Sequence, residues 1–354
     1  MCSVPWSSRR GRNEGRPETG ARRRSTDAVD RATRITQSVP SLAEIRAIGR
    51  RYLASSRGGP SDERKRQTAD PDQWMDAVEQ PFETVADVST RLNDLESRFR
   101  AAGDRRSVFL TVYTKMTETV EAELDGDFFE DPEWVGTLLV TFANHYRRAV
   151  VGYERGRRKG VPPPWQVPPP WEVGFDAITG GRTIVIQDAL LGINAHINYD
   201  LAYTLEAVGI DPDRPTRFAD YVRINEILAR LVDGVQVALG SVYNADLVGD
   251  LDALFGSVDE WLAGYGLAEG RDFAWDNAEH LVDRRWPFVR TYVNWRITSV
   301  STGAAYLILG PSMDRSMQSQ LRAAERRLSP VDEFQSAFDS VAQGHDPSRW
   351  SIPQ

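Results

Sequence analysis

The sequence predicts an all-α protein: a single multi-helix bundle with a disordered N-terminal arm and a proline-rich strap. Three observations predict it. Apolar residues recur at spacings of three and four from Phe82 almost to the C-terminus, as one face of a helix requires. β-branched runs bounded by turn residues are scarce, so strands are not expected. The 354 residues are 41% hydrophobic and 27% charged, a globular composition with enough apolar material for a substantial core.

The elements follow in order. The first 35 residues hold nine arginines against four acids and show no apolar periodicity, so residues 1–40 are expected to be a disordered Arg-rich tail. It is either a solvated extension or an arm for nucleic acid or a membrane surface. Residues 41–81 read as a short helix and linker: Ser41 caps, Glu44 follows three residues on, and Ile45, Ile48 and Leu53 form a face before a polar stretch over 58–72.

The bundle domain is expected over 82–328. Val85, Val88, Leu92 and Leu95 mark its first helix, and Leu110, Val112, Tyr113, Met116 and Val120 its second. Asp131, Pro132 and Glu133 make a strong helix start, with a capping acid, Pro at the first position and an acid in the first turn. A basic loop over 155–160 leads into a duplicated hexapeptide, Val-Pro-Pro-Pro-Trp-Gln then Val-Pro-Pro-Pro-Trp-Glu, over 161–172. Three consecutive prolines favour polyproline II. Two readings stay open: a ligand for an aromatic-lined groove, or an extended strap that packs Trp165 or Trp171 on the bundle. Further helices are expected over 184–205, 215–239, 246–267, 276–309 (with a break at Pro287) and 313–328. Residues 329–354 form a short C-terminal helix and tail. Trp134, Trp171, Trp275, Trp286 and Trp295 are expected in the core.

Charge and cysteine narrow the function classes. The net charge is −8, and because the first 35 residues are basic, the rest is more acidic still. An acidic body argues against nucleic acid as a partner, since phosphate binding needs a basic face. Only Lys65, Lys115 and Lys159 are lysines, which fits either a salt-adapted cytoplasm or a GC-rich coding preference. Cys2 is the single cysteine, so neither an internal disulfide nor a thiolate zinc site can form. With no secretory signal and no apolar run of about 18 residues, a cytoplasmic protein without a membrane span is expected. The oligomeric state is not legible. There is no Gly-x-Ser-x-Gly elbow, P-loop, His-Glu-x-x-His or dinucleotide fingerprint.

The helix over 184–205 is chemically unusual. At 100° per residue Gln187, Asn194 and Asn198 share one side, while His196 and Asp200, one turn apart, share nearly the opposite side. The residues between are apolar, so the helix should be surrounded and its polar groups buried. Each then needs a partner: another helix, an ion or a ligand. Candidate partners are Asn144, His145, Asn225, Asp233, Asp276, His280, Asn294 and Arg296. Arg271, four residues before Trp275, suits an aromatic face or a carboxylate. His196 and Asp200 could bind a divalent metal ion, joined by His145 and His280 from facing helices, and activate its water for hydrolysis. A small-molecule ligand is the second option. The competing class is a non-catalytic scaffold or interaction protein whose His–Asp pair only fixes helix packing. The Asn pair is the better candidate for tying helices together, and the His–Asp pair for chemistry.

Several motifs carry a resemblance: Phe142-Ala143-Asn144-His145-Tyr146, Pro170-Trp171 with Phe175, and Leu191-Gly192-Ile193-Asn194-Ala195-His196-Ile197-Asn198-Tyr199-Asp200-Leu201. Asp220 with Asn225, Val232-Asp233-x-Val235-Gln236, and Arg271 with Ala274-Trp275 extend it. Together they resemble a prokaryotic family of domains of unknown function, one of the number-named kind in the five-thousand-nine-hundreds, with the signature Asn-Ala-His-Ile-Asn-x-Asp-Leu. The resemblance covers about 82–309 and implies no established activity. It also bears on the metal set. Where that family more usually has a basic residue such as Arg, this chain has His145. Position 188, often His there, is Asp188 here, which can replace His as a ligand.

Overall fold

A computed structural model describes residues 68–159, 167–243, 267–283, 286–310, 321–323, 325 and 330–344. The Arg-rich tail, the helix opened by Ser41, the first hexapeptide copy with Trp165, and the segment 246–266 lie outside the described residues, as does most of 313–328. The apolar spacing resolves into eleven α-helices, and no strand occurs among the described residues.

Chain order shows which local signals acted. A short helix α1 (Met75–Glu79) precedes α2 (Val85–Ala101), which Thr84 opens by accepting a hydrogen bond from Asp87 N at 3.1 Å. Helix α3 (Ser107–Glu123) packs back on α2. Asp131 caps α4 (Pro132–Lys159) as expected, accepting from Trp134 N at 3.0 Å. The second hexapeptide copy is not an extended strap. Pro168 is extended, but Pro169 and Pro170 open the first turn of α5 (Pro169–Thr179), where a missing N–H leaves no bond unmade.

The unusual helix is interrupted. Helix α6 (Val185–Ala195) runs into a π turn (His196–Asp200), in which Leu201 N donates to His196 O, and continues as α7 (Leu201–Val208). Gly209, at φ 77°, ends it in a conformation other residues rarely adopt. Then come α8 (Arg214–Tyr243), α9 (Leu267–Val282), α10 (Pro287–Leu309) and α11 (Pro330–Gly344). Pro287 makes the expected break.

The α6–π–α7 rod touches α3, α4, α5, α9 and α10. It is thus surrounded, as its apolar background with two polar sides requires. Gly192 allows closest approach: a Cβ there would overlap the Phe109 ring of α3. Gly270 of α9 also lies close to Asn198, whose Oδ1 would be 2.7 Å from an added Cβ.

Two features of the packing depart from expectation. The core begins before Phe82: Ala69, Trp74 and Val78 are buried, and Trp74 meets the Phe99 edge at 5.0 Å. Beneath them lies a buried ion cluster with no periodic signature. Arg106 pairs with Asp104 at 2.6 Å and Glu154 at 2.9 Å, and its guanidinium sits over the Phe99 ring at 4.4 Å. Conversely, Trp286 and Trp295 are not core residues. They are 62% and 50% exposed on the outer side of α10, with Phe288 and Tyr292.

Candidate functional site

The two polar sides of the rod have separate surroundings. On one side every amide is satisfied. Gln187 Nε2 donates to Ile308 O at 2.8 Å, and Asn194 Nδ2 donates to Ser301 O at 2.9 Å. Both carbonyls belong to α10, seven residues apart, matching the spacing of the two amides on α6. Asn198 Nδ2 donates back to Asn194 Oδ1 at 2.9 Å. This side stitches α10 to the rod through Gln187 and Asn194.

The opposite side is different. The π turn brings His196 Nδ1 to Asp200 Oδ2 at 2.9 Å. Trp171 Nε1, from the first turns of α5, donates to the same Oδ2 at 2.8 Å. With Asp200 ionised, Oδ2 accepts both bonds. Nδ1 then holds the imidazole proton and Nε2 the lone pair. The ring is enclosed by aromatics. Phe142 lies parallel to it at 3.5 Å, and Tyr113 meets it edge-on at 4.6 Å, with Phe109, Tyr146 and Trp171 within 6.4 Å.

Burial shifts these groups toward their neutral forms. Desolvation holds His196 well below the usual imidazole range. Asp200 is pushed up to about 7 by burial, against the pull of His145, the Trp171 hydrogen bond and Arg148. His145 itself is lowered to about 4 by desolvation, with Asp200 acting in the other direction. Burial also raises the Tyr113 and Tyr146 phenols.

Four polar atoms in this neighbourhood have no hydrogen-bond partner: His196 Nε2, Asp200 Oδ1, Tyr113 OH and Tyr146 OH. His145 Nδ1 lies 3.9 Å from Asp200 Oδ1, beyond hydrogen-bond reach. Each such atom costs about 1–3 kcal/mol when buried. Beside them lies an apolar cavity of about 60 Å³ between α3, α4, α8, α9 and the rod. His196 and Tyr113 line it, with Phe109, Phe142, Ile193 and Leu228.

The remaining expected residues are placed elsewhere. Asp188 does not join His196 and Asp200: it is buried beneath Arg105, whose Nε donates to it at 2.6 Å, and Arg105 also holds Glu325 at 3.0 Å. Burial pushes the Asp188 carboxyl up to about 6, against Arg105. His280 is exposed on α9 and pairs with Asp276, so the three histidines do not converge. Among the described residues no group of three His, Cys, Asp or Glu side chains could hold an ion. The expected metal set of His196, Asp200 and Asp188 is therefore not assembled, because Asp188 answers to an arginine and His196 Nδ1 to Asp200. Asn144 ties the chain before α2, exchanging bonds with Phe82 N and O at 3.0 and 2.9 Å. Arg271 donates to Asn225 and lies over the Tyr221 ring at 3.9 Å, while Trp275 packs on the same tyrosine. The Asp233 side chain lies outside what is described. Asn294 meets the rod instead through Tyr203, which donates to it at 3.1 Å.

Sequence reasoning missed Tyr113, Phe142 and Tyr146, which read as ordinary core aromatics at helical spacing. Phe142 and Tyr146 carried a signal only in the Phe-Ala-Asn-His-Tyr motif and Trp171 in the duplicated hexapeptide and the Pro-Trp motif, while Tyr113 carried none. A family model described as a family of unknown function (DUF5995) matches residues 85–311, from the first residue of α2 to just beyond α10. No curated protein and no solved structure matches the chain. Among the described residues no helix is long and apolar enough to cross a membrane.

Proposed function

We propose that this chain, which belongs to the DUF5995 family of unknown function, holds a small-molecule site in which His196 acts as a general base oriented by Asp200. The observation that carries the reading is the cluster of four partnerless buried polar atoms around the His196 ring. Folded proteins satisfy most buried polar groups, so such a cluster in one place marks function more often than packing. The Asn side of the same helix, fully satisfied, shows what a purely structural solution looks like here. The π turn adds support, since such turns recur at functional sites.

The chemistry follows from the tautomer. Nδ1–H is held by Asp200, so Nε2 can take a proton from a hydroxyl or a water. The imidazolium that forms is stabilised by the Asp200 carboxylate, as in other oriented His–Asp pairs. Hydrolysis of an ester is the reaction class that asks for no more than this base and water. Water attacks the carbonyl carbon and gives its proton to Nε2, and the same proton passes to the departing alkoxide. The test is release of p-nitrophenolate from p-nitrophenyl acetate. Wild type should exceed His196→Phe and Asp200→Asn by about 100-fold or more. Equal rates for all three proteins would end the catalytic reading and leave the scaffold class.

A further inference from the structure

Helix α10 presents two unlike sides over its first turns. The inner side is held. Val293 and Ile297 are buried, Arg290 pairs with Glu206 of α7, Arg296 pairs with Asp276 of α9, and Asn294 accepts from Tyr203. The outer side is aromatic. Phe288, Tyr292 and Trp295 recur at spacings of four and three, which places them on one face, and Trp286 stands just before the first turn. Their exposures are 67%, 55%, 50% and, for Trp286, 62%. Trp286 stacks on Phe288 with ring centroids 6.3 Å apart, and Tyr292 leans on Trp295 at 6.0 Å. Among the described residues each of the four rings thus has its aromatic partner within the set. A solvent-facing helix side is ordinarily polar, so the fold itself gives no reason for four large rings there.

Area and charge together indicate what covers this face. Burying a whole aromatic side chain removes about 150–250 Å². Half of that, four times over, is roughly 300–500 Å², well short of the ~800 Å² per partner that a stable protein interface buries. The chain carries 51 acids in 354 residues, yet none falls between Asp283 and Asp314. The acids that flank the face, Glu206, Asp276 and Asp283, are each paired with an arginine: Arg290, Arg296 and Arg214. None is therefore left unpaired to repel a phosphate. Trp and Tyr suit the headgroup level of a bilayer, where the ring meets the acyl boundary and the N–H or O–H meets polar headgroup atoms. We propose that the outer side of α10 docks on a zwitterionic phospholipid surface, with Trp286, Phe288, Tyr292 and Trp295 entering the headgroup–acyl boundary. The contact is a surface one, in which no helix spans the bilayer, and it does not depend on the site at His196.

Co-sedimentation of the full chain with phosphatidylcholine vesicles tests this, at about 0.15 M and about 0.5 M salt. Wild type should partition onto the vesicles at both, since ring insertion rather than net charge supplies the affinity. Phe288→Ser with Trp295→Ser should lower the partition coefficient by about 10–30-fold. Its urea midpoint should match wild type, because both side chains face outward. Trp286→Phe with Trp295→Phe keeps the apolar rings. It should still bind, but with less quenching of tryptophan fluorescence by acyl-brominated phosphatidylcholine. No partition of wild type, equal partition of the serine variant, loss of binding at the higher salt, or unchanged quenching in the phenylalanine variant would each overturn the proposal. So would a dimer in sedimentation velocity that the serine variant dissolves, which would make this face a contact between two copies of the chain.

Discussion

Replacing His196 by Phe separates a functional polar group from a structural one. The variant keeps a flat ring against Phe142, which stacks on His196 at 3.5 Å, and removes both nitrogens. One hydrogen bond to Asp200 is lost, a cost of about 0.5–1.5 kcal/mol. One buried partnerless Nε2 is also removed, a gain of about 1–3 kcal/mol. Asp200 keeps its bond from Trp171 and, with a carboxyl already raised to about 7, takes up a proton rather than standing as an unpaired charge. Near pH 6, His196→Phe should therefore lie within ~1 kcal/mol of wild type, or above it, while losing activity. A pair needed to hold the helices together would instead cost roughly 3–5 kcal/mol on losing one partner. Urea unfolding followed by far-UV circular dichroism measures the difference, compared at equal slope. A loss above about 3 kcal/mol with an unchanged slope would refute the reasoning and assign the His–Asp pair to packing.

Two more expectations follow from the same geometry. Because burial raises the Asp200 carboxyl to about 7, the stability it contributes is complete below its unfolded value and lost as pH rises through about 7. Asp200→Asn, which does not titrate, should gain on wild type by up to about 1.4 kcal/mol per unit between about pH 5 and pH 7, and a flat difference in urea midpoints would count against the buried carboxyl. Gly192→Ala places a methyl in the Phe109 ring, which is boxed in by Tyr113, Tyr146 and Trp171, and should cost about 1–3 kcal/mol in thermal unfolding. An unchanged melting temperature would contradict that close approach.

Much of the architecture was legible because helices announce themselves locally. Asp131 caps where the sequence places a cap, and Pro287 breaks where it must. The two opposed polar sides of the central rod were readable from 100° periodicity alone, and Gln187, Asn194 and Asn198 do face away from His196 and Asp200. The family resemblance also stands: the matched family is one of unknown function over 85–311. Other features were hidden because their signal is not periodic. Arg106, Asp104 and Glu154 look like surface charges in sequence, yet they meet in the interior. Pro169 and Pro170 read as polyproline until the chain ahead turns them into a helix start. Trp286 and Trp295 look like core by composition and stand at the surface.

The central rod shows where the division falls. The sequence by itself determined that a helix with apolar residues all round must be buried, and that its polar residues must find partners. That follows from the cost of burying unpaired groups, which no arrangement of neighbours changes. Which partners they find was decided only by tertiary packing. α10 presents carbonyls to Gln187 and Asn194, Arg105 takes Asp188 away from any ion, and α5 brings Trp171 to Asp200. The aromatic box around His196 is assembled from α3, α4 and α5, segments up to 87 residues distant in the chain. Contacts over such separations are set by how whole helices pack, not by the spacing of residues within any one of them.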